Sequence, residues 1–307
     1  FQDMEPAVLV SMRKRILLLL SSLAEALKAD NLRIVGAVHP YLREVVAKRN
    51  VAFMREVTFI AAGLDPNLMI DYVFGLPMLG WARHSPVMVQ RQSAPPRSER
   101  PSPEEIIEEN KIALERAKPS RSEKLDELAW AKTEKEFENV FMVGPVYSLA
   151  ELPVGDTRLL NRFGILEMHG GATEESCRVI DDGKARGHNA DSANTAAHRP
   201  ADLDLLVAMC RSIAERFGAE PIGGFPSDFK SAYRQVTSDP NQALDFVIAS
   251  WDADRHCQVF FMAVTQLFGS GNAPLNFTRY ADFCVRALAA IFAIPAAHCV
   301  DDVIVLE

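Results

Sequence analysis

The chain has 307 residues, 48% hydrophobic and 24% charged, enough to bury one substantial core or two, in the proportions of an ordinary globular protein rather than a disordered one. A formal net charge of −8 at pH 7 argues mildly against nucleic-acid binding, because phosphate contacts are made by Lys and Arg. The five cysteines, Cys177, Cys210, Cys257, Cys284 and Cys299, contain no CxxC pair, so they suggest neither a zinc site nor a disulfide framework, and reduced thiols inside a cell, cytoplasmic or nuclear, are expected.

Residues 5–48 carry helical spacing, with Leu17, Leu20, Leu23, Ala24 and Leu27 on one side. The apolar run 16–20 follows Arg13, Lys14 and Arg15 but is far too short to span a bilayer. Ser21, Ser22, Glu25 and Lys28 continue it as a soluble amphipathic helix, so no membrane contact is expected. The chain starts with Phe1, so its true N-terminus is expected upstream, and targeting is left open. Residues 54–79 hold a further helix or two, interrupted by Gly75 and Pro77, which makes 1–83 a helical N-terminal region. Residues 84–103 read as a flexible linker, with Pro86, Pro95, Pro96, Pro101 and Pro103 among Ser, Gln and Arg. Ser102 and Glu105 fit a capping box with Pro103 at the first helical position, opening a charged helix over 104–117. Pro119 stops it, and a second charged helix is expected over 122–138, giving a unit spanning 104–142.

After Val143 the texture changes. Short β-prone runs at 163–168, 178–180, 224–229, 259–264 and 298–306 alternate with turns, and helices are expected at 203–217 and 273–292. The pattern over 143–307 is α+β.

Two acidic sites stand in related contexts. One is Ser227-Asp228-Phe229-Lys230-Ser231-Ala232-Tyr233-Arg234-Gln235-Val236; the other is His298-Cys299-Val300-Asp301-Asp302-Val303-Ile304-Val305. Carboxylates inside an apolar strand-like run are costly unless a turn exposes them or a cation neutralises them. A hairpin with Asp301-Asp302 at its tip answers the first need, and a hard divalent cation the second. A lone Asp-Asp is otherwise a solvated turn, which is how Asp202 with Asp204 and Asp252 with Asp254 are read.

The first run resembles the first palm motif of reverse transcriptases, an aspartate followed by Ser-Ala-Tyr-Arg-Gln, and the Val300-Asp301-Asp302 turn resembles their metal-binding hairpin. Between them, Gln266-Leu267-Phe268-Gly269 followed by Ala273-Pro274 and Phe277 resembles the family's Leu-Pro-Phe-Gly…Ala-Pro…Phe segment, with Gln266-Leu267 where Leu-Pro is commoner. Upstream, Arg178-Val179-Ile180-Asp181-Asp182 and Gly187-His188-Asn189 resemble the fingers motif, with Arg162-Phe163-Gly164-Ile165 leading into it. The resemblance covers about residues 143–307 and implies an antiparallel palm sheet backed by the 203–217 and 273–292 helices, with partial fingers.

The implied activity is template-directed DNA synthesis by a retroelement enzyme, adding dNTPs to a primer 3′-hydroxyl on an RNA or DNA template with two Mg²⁺ or Mn²⁺ ions. By the same resemblance Asp228 and Asp301 are metal ligands, Asp302 a supporting acid, and Arg178 the triphosphate ligand, with Lys184 and Arg186 as further cations. Tyr233 is the steric gate against a ribose 2′-hydroxyl. Phe268 and Gly269 belong to the nucleotide-binding loop, where glycine permits close backbone approach. The family's primer grip and thumb would follow Glu307, so a truncated enzyme is expected. The alternatives are an inactive retroelement fragment that keeps the fold, or a helical interaction protein carrying a passenger palm.

Overall fold

The computed structural model describes residues 5–306, apart from 62, 92, 98, 154, 168–174, 186, 195, 198–200, 202 and 219–221. The expected strand end at Met168, the candidate cation Arg186, Asp202 and Glu307 lie outside the described residues.

Five helices open the chain: α1 (Pro6–Ala26), α2 (Lys28–Ala37), α3 (Arg43–Ala47), α4 (Val51–Ile60) and α5 (Leu68–Phe74). Two-residue strands β1 (Gly80–Trp81) and β2 (Val89–Gln90) follow, then α6 (Pro103–Arg116), α7 (Glu123–Glu138), β3 (Met142–Val146), β4 (Leu159–Glu167) and β5 (Ser176–Asp181). Next come β6 (Ser192–Ala193), β7 (Ala196–Ala197), α8 (Leu203–Phe217), β8 (Gly224–Asp228), β9 (Val247–Asp252) and β10 (Cys257–Ala263). The described chain ends with α9 (Ala273–Phe292), β11 (Ala296–Cys299) and β12 (Asp302–Leu306). The protein is therefore mixed α and β, as the sequence texture requires.

Local signals account for the helix starts. The Glu105 N–H donates to Ser102 Oγ at 3.2 Å while the Ser102 N–H donates to Glu105 Oε2 at 2.8 Å, completing the capping box of α6. Ser122 caps α7 by accepting from the Leu125 N–H at 3.3 Å.

A five-stranded sheet of order β3-β10-β9-β4-β5 is antiparallel except for the β4–β9 pair, so it is mixed. Its strands alternate between two covered faces. Leu160, Ile248 and Phe261 pack on one side with Trp130 of α7; Leu159, Val247, Ala249 and Phe260 pack on the other with Ala113 of α6 and with Ala117. A second sheet, β11-β12-β8, is antiparallel throughout, and Val303 and Val305 of β12 pack on Val285 of α9. The expected second backing helix, α8, has no buried residue among those described, and its Leu203, Leu205 and Val207 are exposed. Among the described residues it adds none to that core.

The expected separation at residue 83 is not a packing boundary. Val35, Leu42, Val46 and Leu68 of the N-terminal region share one core with Val264 and with Phe283 and Ile291 of α9. Buried Arg279 of α9 binds Asp65 at 2.8 Å and Asp71 at 2.7 Å. The stretch expected to be a free linker is irregular, as its prolines dictate, but it is fastened. β1 runs parallel to β6 and β2 antiparallel to β7, while Arg97 reaches Asp191 at 3.3 Å and Arg100 reaches Asp245 at 3.0 Å.

Candidate functional site

β8 ends on Asp228, whose register partner on the neighbouring strand is Asp302, the first residue of β12. The Phe229 N–H donates to the Asp301 carbonyl at 2.9 Å, which ties the residue after β8 to the β11–β12 turn. That turn is tight: Val300 has φ 57°, the left-handed region that a β-branched residue rarely adopts. Asp228 and the adjacent pair Asp301-Asp302, 73 residues on, thus meet at one end of a three-stranded sheet. His298 braces the turn, its Nε2 3.0 Å from Asp282 Oδ1 of α9 and its Nδ1 3.1 Å from the Val300 carbonyl oxygen. Desolvation pushes the Asp228 carboxyl above its ordinary range, and the Asp301 and Asp302 charges push it further in the same direction.

Oxygen donors carrying uncompensated negative charge are the set that Mg²⁺ or Mn²⁺ takes. Their kind fits a divalent cation; their arrangement is not a formed cage, since among the described residues no three His, Cys, Asp or Glu side chains gather as a metal site.

Beside this edge lies a cleft of about 720 Å³. Arg178 of β5, Phe268 and Asp301 all line it, so residues expected to act on one substrate open onto one space. Arg178 is largely exposed and paired with Glu167 of β4 at 2.7 Å. Tyr233 lies against Phe268, ring centroids 4.7 Å apart, and edge-on to Phe277 at 5.6 Å. Burial raises the Tyr233 hydroxyl pKa, and the Asp301 charge raises it further, so the half-buried ring sits within electrostatic range of the carboxylate edge. Lys184 is exposed on the turn after β5, outside the cleft lining.

Gly269 meets a requirement different from the expected one. Its φ is +103°, and a Cβ there would come within 2.2 Å of the Asp181 carbonyl oxygen. The close approach it permits is to the protein's own backbone, docking its loop onto the end of β5. Gln266, which stands where the family has Leu, is fully buried and donates to the carbonyls of Leu76 and Thr237 at 2.9 and 3.1 Å. It fixes the start of the same loop from the N-terminal side.

The floor of the cleft is a buried ionic network that motif matching does not reveal. Arg162 of β4 holds Asp181 through two bonds of 2.8 and 3.0 Å and reaches Glu136 of α7 at 2.8 Å. Arg234, from the single turn 232–235 after β8, reaches Glu136 at 2.7 Å and Asp181 at 3.1 Å. Burial pushes Glu136 up, but the two guanidiniums together more than offset it and hold its carboxyl below the ordinary glutamate range. Arg234 lies inside the quoted motif and Asp181 inside the fingers motif, so both were visible as residues; their partnership links four elements and leaves no trace in spacing.

No protein-family model matches this chain, and no curated protein sequence does either. No helix among the described residues is long and apolar enough to cross a membrane.

Proposed function

We propose that the chain carries the catalytic centre of a reverse transcriptase-like polymerase, which extends a primer 3′-hydroxyl with deoxynucleotides under the direction of a template. The observation that supports this most is the pairing of Asp228 with Asp302 across adjacent strands, with Asp301, just before Asp302 in the turn, on the wall of the cleft that Arg178 and Phe268 also line. In this reading Asp228 and Asp301 hold divalent metal, with Asp302 as a supporting charge. Two such ions, when bound, activate the attacking hydroxyl and neutralise the leaving group. The remaining work belongs to positioning by the protein. The Arg178 fork binds triphosphate oxygens, exchanging Glu167 for the substrate. The Tyr233 ring, held by Phe268 and Phe277, occupies the space of a ribose 2′-hydroxyl and favours dNTPs. The buried Arg162–Asp181–Glu136–Arg234 network keeps the floor rigid under them.

The test compares wild type with Asp228→Asn and Asp301→Asn. Mg²⁺ or Mn²⁺ binds the folded wild type and raises its Tm, by roughly 2–4 °C per kcal/mol of binding. Both variants keep the fold, lose the metal response, and extend no primer. Equal metal-induced shifts in all three proteins refute the reading. A metal response that disappears in the variants, with no extension by wild type, leaves a metal-binding scaffold in place of a polymerase.

A further inference from the structure

We infer that the N-terminal helical region belongs to the binding apparatus: Lys48 at the end of α3, with Lys132 and Lys135 on α7 and Lys230 after β8, forms a phosphate-binding wall for the backbone of a single-stranded nucleic acid. The choice of nucleic acid as ligand rests on the polymerase reading; the existence of an anion site does not.

The charge distribution comes first. Seven basic and three acidic side chains line the cleft, in a chain whose net charge is −8. Two of those acids are already committed, Glu136 to Arg162 and Arg234, and Glu167 to Arg178. Lys132, Lys135 and Lys230 have no carboxylate within ion-pair distance among the described residues. Such a concentration of like charge is unfavourable unless an anion shares it.

Unused donors point the same way. Arg234, almost wholly buried and lining the cleft, has no partner for Nη1, and Arg49 Nε is likewise buried and unpartnered. A buried cationic donor without an acceptor costs free energy that a phosphate oxygen recovers. Lys48 lies over the Phe141 ring, 5.6 Å from its centroid, and burial lowers its pKa, with adjacent Arg49 lowering it further. An anion bound there restores its full charge.

Shape selects among polyanions. Half-buried Phe141 and Phe268 line the cleft together with the cations, the combination of stacking rings and basic groove that suits unpaired bases. A space of about 720 Å³ has the volume of a small-ligand pocket, which admits a short stretch of one strand and no duplex.

The experiment titrates a short fluorescein-labelled oligothymidylate against the full chain at a series of salt concentrations. Wild type binds with a salt-dependent affinity. Lys132→Gln/Lys135→Gln, at exposed helix positions that leave folding intact, flattens the log–log salt slope by about 1.4, and Lys48→Gln by about 0.7, one phosphate contact each. Lys111→Gln on α6 with Lys118→Gln just after it, an equal change in net charge away from the cleft, leaves the slope unaltered. A slope equal in all four proteins, or flattened as much by the α6 pair, overturns the inference. Inorganic triphosphate and dTTP as competitors separate the sources of phosphate. If the α7 pair weakens triphosphate binding and spares the oligonucleotide, the wall serves the nucleotide and the inference fails. Asp301→Asn loses the metal response and keeps the wild-type salt slope, because it removes no cation–phosphate contact, so failure of the carboxylate centre and failure of this wall give different results.

Discussion

Asp181 sits among guanidinium groups: both its oxygens are bonded to Arg162 and one also to Arg234, with the side chain almost fully buried. Removing one member of a buried ionic set leaves its partners desolvated and uncompensated, at a cost of about 3–5 kcal/mol. Asp181→Asn should lose that much in urea unfolding. Glu136 adds a pH dependence of known sign. Its folded pKa lies below the ordinary value of 4.5, so its contribution is complete above that value and is lost as pH falls through the lowered one. Wild-type stability should therefore drop below about pH 4.5 with a steeper acid limb than that of Glu136→Gln, as read from urea midpoints across the acid range. A parallel acid limb in the variant would remove Glu136 from the network. These residues show where sequence reading stops. Asp228, Tyr233, Asp301 and Arg178 carry signals because short runs of neighbours surround them. Glu136 carries none, and Arg162, quoted only as the lead-in to the fingers motif, carries no sign of its partner, because a partner 26 residues away on another element imposes no local pattern.

The β11–β12 hairpin places Asp301 beside Asp228 at a local cost. Val300, φ 57°, holds a backbone conformation that asparagine tolerates and valine resists by roughly 1–2 kcal/mol. Strain of this kind gathers at functional turns. Val300→Asn should relieve it and raise stability by about 1 kcal/mol, seen as a higher thermal midpoint. An unchanged or lower midpoint would show that the half-buried valine packs well enough to offset its backbone. Most elements were legible at this scale. The expected helices at 203–217 and 273–292 match α8 and α9, and the strands at 224–229 and 298–306 appear as β8 and the β11–β12 pair. β9 was not legible. As a central strand with nearly every residue buried, it presents only the short apolar run 246–249 before Ser250, and a run of that length does not distinguish strand from helix. Its parallel pairing with β4 was hidden for the same reason. α8 shows the reverse failure, because its strongly amphipathic pattern promises a buried face and the described residues supply none.

At the scale of the whole molecule, net charge is a poor guide to partners, because −8 is compatible with a cationic cleft once basic side chains from distant segments are brought together. The same assembly governs stability. The N-terminal region closes over α9 and the end of β10: Tyr41 donates to the Ala263 carbonyl of β10 at 2.8 Å, and Arg13 donates to the carbonyls of Phe292 and Ala293 at the end of α9 at 2.8 and 2.9 Å. Arg279 has no exposed side-chain surface, and among the described residues its counter-charges come only from Asp65 and Asp71. Detaching the N-terminal region would strand this guanidinium and uncover Phe283 and Ile291 together. Neither part can open without a penalty of several kcal/mol in the other, so the two should unfold as one cooperative unit. Calorimetry should give a single transition with calorimetric and van't Hoff enthalpies in agreement. Asp65→Asn/Asp71→Asn should shift that transition down as a whole, without splitting it. Intrinsic tryptophan fluorescence, from Trp81 of β1 and from Trp130 and Trp251 at the five-stranded sheet, should follow the same curve as the helical circular dichroism signal, which α1 to α5 contribute to heavily. Two resolved transitions, with only the first sensitive to the Asp65/Asp71 change, would restore an independent N-terminal domain. They would also separate Lys48 from the cleft it lines, because a wall that detaches on its own cannot hold a phosphate in register with α7.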